Sequence, residues 1–183
     1  TVFRPFFGVI EQILEAGMKD AGSFDVRLAA LEATVVFLAI MREEDASMVR
    51  KFGSLLPAML ECVTVALQNG REEEAQSAIK NFIDVAEMQP SFFLPHLAVV
   101  TQTMFAVMNH EGLAVETRAI ALEMLVSLCE RRSGSMKKVP GFVDTLVDIL
   151  LRWMTTCEDF AEWADFEDPD PDTLAAYSED ALD

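Results

Sequence analysis

Glycine and proline are scarce in this chain, with only 8 and 7 of them among 183 residues. A sheet-rich fold needs many tight turns built from these residues, so their scarcity argues against one and favours long helices. Tyrosine is almost absent, since the chain has 1 Tyr against 13 Phe. The aromatic residues are therefore predicted to fill a core more than to stack on sugars or bases.

Cysteine and histidine are too few and too scattered for the sites they usually build. The three cysteines, Cys62, Cys129 and Cys157, show no CxxC or His-rich spacing, which argues against disulfides and zinc and predicts reduced, intracellular thiols. His96 and His110 have no Ser, Cys or Asp partner at a catalytic spacing. No Gly-rich phosphate loop, nucleophile elbow or metal cluster occurs either. The sequence therefore predicts neither an enzyme nor a cofactor.

Basic residues are outnumbered, with 14 Lys and Arg against 31 Asp and Glu, for a net charge of −17. Residues 158–183 hold 11 of these acids and no Lys or Arg. Binding a phosphate backbone needs cations that displace counterions, so nucleic acid is not an expected partner, and a basic protein or peptide fits better. We find no signal peptide and no uninterrupted apolar run of membrane-spanning length, so no membrane contact is expected.

The stretch from Glu116 to Arg132 shows the pattern on which the rest of the chain is built. Its apolar residues recur at steps of three and four, which predicts one stripe on a helix made of Ala121, Leu122, Leu125, Leu128 and Cys129. Glu116, Glu123 and Glu130 lie seven residues apart and are predicted to occupy the opposite, solvent-facing side.

This helix has two relatives upstream. Aligning Ala30-Leu31-Glu32, Ala78-Ile79-Lys80 and Ala121-Leu122-Glu123 gives spacings of 48 and 43 residues. Each copy follows a longer apolar helix with a proline near its start. A helix pair that recurs at roughly 40–47 residues is typical of HEAT or armadillo repeats. The predicted fold is all-α, an α-α superhelix or solenoid of HEAT/armadillo-like helical hairpins.

We predict a single solenoid over residues 1–183. Its hairpins are expected at about 3–45, 47–88 and 91–132, followed at 138–183 by a partial repeat that an acidic loop at about 158–172 interrupts. The chain starts with Thr and opens directly into a helical pattern. We therefore expect an internal fragment of a longer protein, whose cut ends favour self-association.

The expected helices cover about 3–19, 25–42, 47–68, 71–88, 91–109, 114–132 and 140–157, with a short loop at 133–135 and helix again from Leu174. Residues 33–41 are apolar nearly all round, which predicts a helix packed between neighbours. Ser23 or Asp25 is a candidate N-cap. The run of acids from Glu72 to Glu74 falls in a first helical turn, where negative charge suits the helix dipole.

Residues 158–172 break the helical pattern because they are acidic and contain Pro169 and Pro171. They could form a disordered, solubilising insertion. They could equally form an electrostatic docking loop, in which Trp163 is the anchor and the acids attract a basic surface. A purely solubilising loop would not need Phe160, Trp163 and Phe166. The residues themselves leave both interpretations open.

Four segments in this order resemble the karyopherin-beta family of nuclear transport receptors, and its importin-5 (importin-beta-3) branch most of all. They are Phe93-Leu-Pro-His-Leu97, Arg118-x-x-Ala-Leu-Glu-x-Leu-Val-x-Leu-x-Glu130, the acidic E-D-F-A-E-W-A-D, and Ser178-Glu-Asp-Ala-Leu-Asp183. The likeness is clearest over about 75–183. Over 1–70 it is mainly repeat-like.

The resemblance implies a segment of a nuclear import receptor that shuttles between cytoplasm and nucleus through the nuclear pore. Family members bind cargo on a concave surface lined by the second helix of each pair, and this surface recognises the nuclear localisation signal of the cargo. Ran-GTP releases the cargo, and grooves on the convex side hold Phe-Gly nucleoporins. By position, the family's acidic loop, which contacts basic cargo or Ran, corresponds to Glu158, Asp159, Glu162, Trp163, Asp165, Glu167 and Asp168. The loop here lacks a dense run of consecutive Asp and carries D-P-D-P-D instead.

The alternative function is a general HEAT-repeat scaffold that organises a multiprotein complex. A scaffold predicts contacts through apolar or polar ridges, so removing residues 158–172 would change little. A transport receptor predicts salt-sensitive binding of basic cargo or Ran, centred on the acidic loop.

Overall fold

The computed structural model describes residues 4–41, 46–155 and 173–182, and these form helices and connecting turns without a strand. The α-helices, in chain order, are α1 (Phe7–Met18), α2 (Phe24–Ala39), α3 (Ala46–Phe52), α4 (Leu56–Gln68), α5 (Glu72–Met88), α6 (Leu97–Met108), α7 (Val115–Met136), α8 (Phe142–Thr155) and α9 (Leu174–Leu182). The all-α prediction is confirmed.

The helices pack as hairpins in two layers. Each of α1, α4, α6 and α8 lies against the helix that follows it, namely α2, α5, α7 and α9. The second helices also stack on one another in the order α2, α5, α7, α9, and the first helices do so less extensively. Closer packing in one layer bends a stack towards that layer, so the second helices form the inner side of a solenoid. The exact repeat bounds stay a prediction.

Helix α7 is buried on almost every side because it lies between α5 and α9 and against α6. The predicted stripe residues Ala121, Leu122, Leu125 and Leu128 are buried, and Cys129 is half-buried. The flanking side chains of Ile120, Met124 and Ser127 are buried as well. The buried surface of α7 is therefore wider than the single predicted stripe, since a central solenoid helix has neighbours on three sides.

Helix α2 is less buried than predicted. Leu31, Val35 and Leu38 face the core, but Val36 is 64% exposed and Ile40 is 54% exposed. The expectation that residues 33–41 pack between neighbours on all sides is wrong for this flank, since nothing in the described part of the chain covers it. Ser23 is the N-cap residue as expected, but its side chain makes no capping bond. Asp20 Oδ1 instead accepts hydrogen bonds from the backbone N–H groups of Gly22 and Ser23.

The helix predicted over 47–68 is broken in the middle. A 3-10 turn at Gly53–Leu55 separates α3 from α4. Gly53 lies so close to the next hairpin that a Cβ there would be 3.1 Å from the Phe92 carbonyl oxygen. Pro57, in the first turn of α4, has no N–H to donate to the Gly53 carbonyl, so the helix is interrupted here, where the two backbones also approach closely.

Two predicted helices begin several residues before the observed helices do, and in each case a proline lies in the stretch between. Helix α1 begins at Phe7 after a 3-10 turn at Arg4–Phe6, and α6 begins only at Leu97 after 3-10 turns at Pro90–Phe92 and Leu94–His96. Proline lacks an N–H donor and restricts the residue before it, which favours such short turns over a regular helix. Phe92 and Phe93, both buried, pack edge to face in these turns with ring centroids 5.2 Å apart.

The regular helix of α7 breaks at Arg132, whose backbone angles are φ −143° and ψ 40°, which agrees with its predicted end at 132. The residues after the break, up to Met136, form a further helical turn where a short loop was predicted at Ser133–Ser135. Met136 is buried, so the core holds this last turn in place and outweighs the weak helix propensity of the Ser and Gly residues.

The segment Pro90–Met108 is long and apolar enough to cross a membrane by length and composition alone. It is not an uninterrupted apolar run, since it contains Ser91, His96 and the polar run Thr101–Thr103. The segment contains two 3-10 turns, and its helix α6 buries Val100, Met104 and Met108 against neighbouring helices. These are the features of a core helix.

Candidate partner-binding face

Helix α7 leaves one narrow line of side chains exposed on the inner layer. Glu116, Glu123 and Glu130 are all exposed, as predicted, while the residues on either side of this line are largely buried. The seven-residue spacing keeps the three carboxylates on one side of the helix over about 20 Å. Between Glu116 and Glu130, the most enclosed helix of the inner layer thus presents only acids to solvent.

Helix α5 presents a second line of charges beside the first. Glu73, Lys80, Asp84 and Glu87 are exposed and recur at steps of seven, four and three, which places them on one face. Lys80 Nζ lies 3.2 Å from Glu116 Oε1 of α7. This ion pair shows that the exposed lines of the two helices adjoin.

The acidic face is the name used below for the exposed carboxylates on α2, α5 and α7 that form no ion pair within the described residues. These are Glu32, Glu73, Asp84, Glu87, Glu123 and Glu130. Like charges gathered on one surface produce a negative potential that attracts cations from a distance. Lys80 supplies a cation among them, and it is already paired with Glu116.

Beneath the acidic face, Glu72 joins the second hairpin to the third. Its Oε1 accepts hydrogen bonds from the Ala114 backbone N–H at 2.8 Å and from the Thr117 hydroxyl. Gln76 Nε2 donates to the same hydroxyl at 2.8 Å. Ala114 is the N-cap residue of α7, so a carboxylate from α5 caps a helix in the next hairpin. The predicted position of the Glu72–Glu74 run in a first turn is confirmed, but Glu72 serves the neighbouring helix.

Arg71 joins the first hairpin to the second. It contacts Asp25 Oδ1 and Glu74 Oε1 at 2.8 Å each, and its guanidinium lies 4.5 Å from the centroid of the Phe24 ring. Hydrogen bonds to Asp25 and Glu74 raise the pKa of Arg71, and the bond from Arg71 lowers the pKa of Glu74. These charges are matched locally, which removes Asp25 and Glu74 from the carboxylates available to a partner.

Arg118 and Arg152 join the third hairpin to the fourth. Arg118 Nε donates to the Met108 carbonyl at 2.9 Å, and its guanidinium lies 5.1 Å from the centroid of the buried Trp153 ring. Burial lowers the pKa of Arg118. Arg152 donates to Asn109 Oδ1 at 3.0 Å and pairs with a carboxylate of its own helix. Each junction between hairpins thus contains at least one arginine or carboxylate bridge.

The predicted docking loop lies outside the described residues. This applies to all its candidate residues, namely Glu158, Asp159, Glu162, Trp163, Asp165, Glu167 and Asp168. The structure therefore does not test them. The acidic face of the second helices is a separate candidate, which sequence periodicity signals through the exposed acids at positions 116, 123 and 130.

Cysteine and histidine form no site in the part of the chain that the structure describes. Cys62 and Cys129 are free thiols, and no group of acids, His and Cys is placed to hold a metal ion within that part. Burial raises the pKa of the Cys62 thiol from 9.0 to about 11, and it also raises that of Cys129. Cys157 lies outside the described residues.

A stack of helical hairpins whose inner layer carries unpaired acids defines a solenoid of the protein-binding class. Family models agree with this architecture and make it specific. The model described as "IPO5-like, TPR repeats" matches residues 2–103, and the model described as "Importin repeat" matches residues 110–183. The chain belongs to the importin-5-like family of karyopherins, as its resemblance predicted.

Two curated relatives are of the same kind. The chain is 29% identical over 155 residues to a probable importin-5 homolog of Dictyostelium discoideum, covering 85% of this chain and 14% of the relative. It is 28% identical over 169 residues to importin subunit beta-3 of Saccharomyces cerevisiae, covering 90% of this chain and 15% of that protein. The chain therefore spans about a seventh of the length of these relatives.

Solved structures of the karyopherin Kap121p share the fold. The chain superposes on Kap121p with a TM-score of 0.82 at 26% identity, covering 96% of this chain and 17% of Kap121p. Crystal structures of Kap121p bound to Nup53p, to Pho4p and to RanGTP match it as well. The solenoid prediction is thus confirmed by a structural relative of the same family.

Proposed function

We propose that this chain is the cargo-binding part of a nuclear import receptor that shuttles between cytoplasm and nucleus. Its acidic face binds a Lys- and Arg-rich protein segment of the nuclear localisation kind. The observation that carries this proposal is the row of exposed carboxylates on α2, α5 and α7 that form no ion pair in the described residues. Arg71, at the start of α5, is already engaged by Asp25 and Glu74.

The geometry suits an extended basic peptide. Packed helices lie about 8–10 Å apart, so side chains about three residues apart on an extended chain reach successive second helices. Each cation would meet a line of acids on α5 and then on α7, where Glu123 and Glu130 form no ion pair in the described residues. Such exposed pairs are individually weak and screened by salt, so binding depends on several at once.

The remaining partners follow from the family. Kap121p has been crystallised with RanGTP and with Nup53p, and these support the proposal that the whole receptor containing this chain binds Ran-GTP and Phe-Gly nucleoporins. We propose that residues 158–168 add a second acidic element that contacts basic cargo or Ran. In a solenoid, small changes in the angle between stacked hairpins add up along the array to a change of curvature. A partner that prefers one curvature can therefore displace another that prefers a different one.

The test is a titration of the chain with a fluorescent Lys-rich peptide at low and moderate salt. The double variant E123Q/E130Q removes two carboxylates from the acidic face. Its matched control E61Q/D144Q removes two exposed acids from the first-helix layer. We expect the first variant to weaken binding on the order of tenfold, as two lost charge contacts would, and the control to bind as the unaltered chain does.

A third variant separates the two acidic elements. Deleting residues 158–172 weakens binding if the loop contributes, and leaves it unchanged if the helix face suffices. If neither the deletion nor E123Q/E130Q alters the affinity, the chain does not bind basic cargo through its acids. That result would favour the scaffold function.

A further inference from the structure

A compact basic cluster lies at the C-terminal end of α7, where the chain leaves the third hairpin and leads to α8 of the fourth. It consists of Arg131, Arg132, Lys137 and Lys138, all exposed. We call residues 131–138 the basic turn. These four are among only 14 basic residues in a chain of net charge −17, so their concentration within eight positions is unusual.

The basic turn gathers four exposed cations that have no acid partner among the described residues. Lys19, Arg71, Lys80 and Arg152 each form an ion pair. Arg27 and Arg118 donate to backbone carbonyls. Among the bases whose side chains are described, only Arg50 and Lys51 share the unpaired state of the basic turn. The basic turn is therefore the largest group of unpaired cations in the described part of the chain.

The backbone of the basic turn is held in place. Met136 is buried beneath it, and the N–H groups of Lys137 and Lys138 donate to Ser133 and Ser135 at 3.0 and 3.1 Å. The Val139 N–H donates in turn to the Met136 carbonyl at 3.0 Å. The backbone that carries Lys137 and Lys138 is therefore ordered before any partner arrives, which lowers the entropic cost of binding.

The helix dipole explains only part of this cluster. Cations near a helix C-terminus are favourable within the last turn, which suits Arg131 or Arg132. Adding Lys137 and Lys138 beyond the bend at Arg132 brings four like charges within about 10 Å of backbone rise. Their mutual repulsion is not offset by any ion pair among the described residues.

We propose that the basic turn is a docking site for a short acidic segment of a partner protein. This surface is opposite in sign to the acidic face and lies beside it, next to Glu130. A nucleic acid carries a charge about every 1.7 Å and would run from the turn onto carboxylates that repel it. A membrane would need exposed apolar or aromatic side chains beside the cations, and residues 131–138 expose none. A short Glu- or Asp-rich segment matches four cations without either difficulty.

The test measures binding of a fluorescein-labelled Glu-rich peptide to the whole chain by anisotropy at about 50 mM salt, where the Debye length exceeds 10 Å. The variant K137Q/K138Q removes half of the cluster. Its control K19Q/K80Q removes two exposed lysines elsewhere, so the change in net charge is identical. We expect the first variant to lose affinity on the order of tenfold and the control less than about twofold.

Three results would overturn the proposal. Equal losses in both variants would mean that the peptide senses only overall charge. Absence of binding by the unaltered chain would mean that the cluster is too weak to attract an acidic segment. Tighter binding of a single-stranded oligonucleotide of the same charge, also lost in K137Q/K138Q, would assign the turn to nucleic acid instead. Thermal unfolding midpoints of both variants confirm that they are folded, and relief of repulsion should leave that of K137Q/K138Q unchanged or higher.

Discussion

At the scale of single residues, the junctions between hairpins depend on a few polar atoms in enclosed places. The Thr117 hydroxyl is buried, donates to Glu72 and accepts from Gln76. Removing it takes an acceptor from Gln76 and one of two donors from Glu72, which keeps the Ala114 N–H, and both partners are half-buried. A polar group that loses its partner in such a place costs more free energy than a hydrogen bond contributes.

Replacing Thr117 by Val should lower the free energy of unfolding by about 1–3 kcal/mol, because Glu72 and Gln76 lose their shared partner while the side-chain shape is kept. Urea denaturation followed by circular dichroism measures this. The matched control is Thr103→Val, whose hydroxyl bonds only to the Val99 carbonyl of its own helix. An equal loss of unfolding free energy in both variants would mean that the hydrogen bonds of Thr117 between hairpins add no stability beyond that of a bond within one helix.

The buried Cys62 thiol makes stability depend on alkaline pH. Its pKa is raised from 9.0 to about 11, so the folded state disfavours the thiolate that the unfolded chain forms freely. The contribution is fully present below pH 9 and is lost as the pH rises towards 11. Between about pH 8.5 and 10.5 the loss should be on the order of 1–2 kcal/mol.

The measurement compares urea unfolding of the unaltered chain and Cys62→Ala across that pH range. The variant is less stable throughout because it loses packing, but the difference between the two should shrink as the pH rises. A difference that stays constant between the two pH values would show that Cys62 does not titrate with folding.

At the scale of the elements, the close approach of two backbones favours a residue without a side chain. Gly53 illustrates this, since a Cβ would also meet Pro95 Cγ at 3.4 Å, besides the Phe92 carbonyl oxygen. This contact joins the beginning of the second hairpin to the beginning of the third. Replacing the glycine should therefore disturb two hairpins.

Gly53→Ala should destabilise the chain by about 1–3 kcal/mol, because a rigid carbonyl must move to admit the methyl group. Gly8→Ala is the matched control, since its Cβ would meet nothing within 4 Å and the residue lies in helix α1. Removing a helical glycine there should stabilise by roughly 0.5–1 kcal/mol. Thermal and urea unfolding of both variants should give opposite signs, and the same sign in both would contradict the proposed contact.

Some helix bounds follow from the sequence alone, and others do not. Steps of three and four between apolar residues predict the bounds of α5 to within one residue, and the spacing of Leu31, Ile79 and Leu122 predicts that hairpins repeat. Pro57 signals the break before α4, but the contact of Gly53 with Phe92, 39 residues away in sequence, has no sequence signal. The helical turn up to Met136 could not be predicted either, because burial of that methionine decides it.

The candidate site was only partly predictable for a similar reason. The exposed line of Glu116, Glu123 and Glu130 follows from helical periodicity. Which acids remain unpaired depends on whether a base from another hairpin reaches them, as Arg71 reaches Asp25 and Lys80 reaches Glu116. The spacing of residues in the sequence does not specify these ion pairs between hairpins.

At the scale of the whole molecule, the distribution of charge matters more than its total. The net charge of −17 is gathered on the acidic face and in the C-terminal stretch, while Lys19, Arg71, Lys80 and Arg152 are engaged in ion pairs. Such an arrangement is repulsive within the folded chain, and salt should relieve it.

We therefore expect the thermal unfolding midpoint to rise by about 2–5 °C between roughly 20 and 300 mM NaCl. A variant with E73Q, E87Q and E123Q should start higher and respond less, because three repelling carboxylates are gone. Differential scanning fluorimetry at several salt concentrations provides the comparison. A midpoint that falls with salt in the unaltered chain would mean that its ion pairs outweigh its repulsions.

The bond from Glu72 to the start of α7 has a consequence for how such arrays can evolve. A repeat protein is often described as a row of interchangeable units, yet here the first carboxylate of α5 caps the first turn of α7 in the next hairpin. Excising or duplicating a hairpin would leave a helix start without its cap unless the new neighbour also carried an acid at that position. The array therefore inherits its hairpins as ordered neighbours, and lineages should gain or lose them in adjoining groups more readily than one at a time.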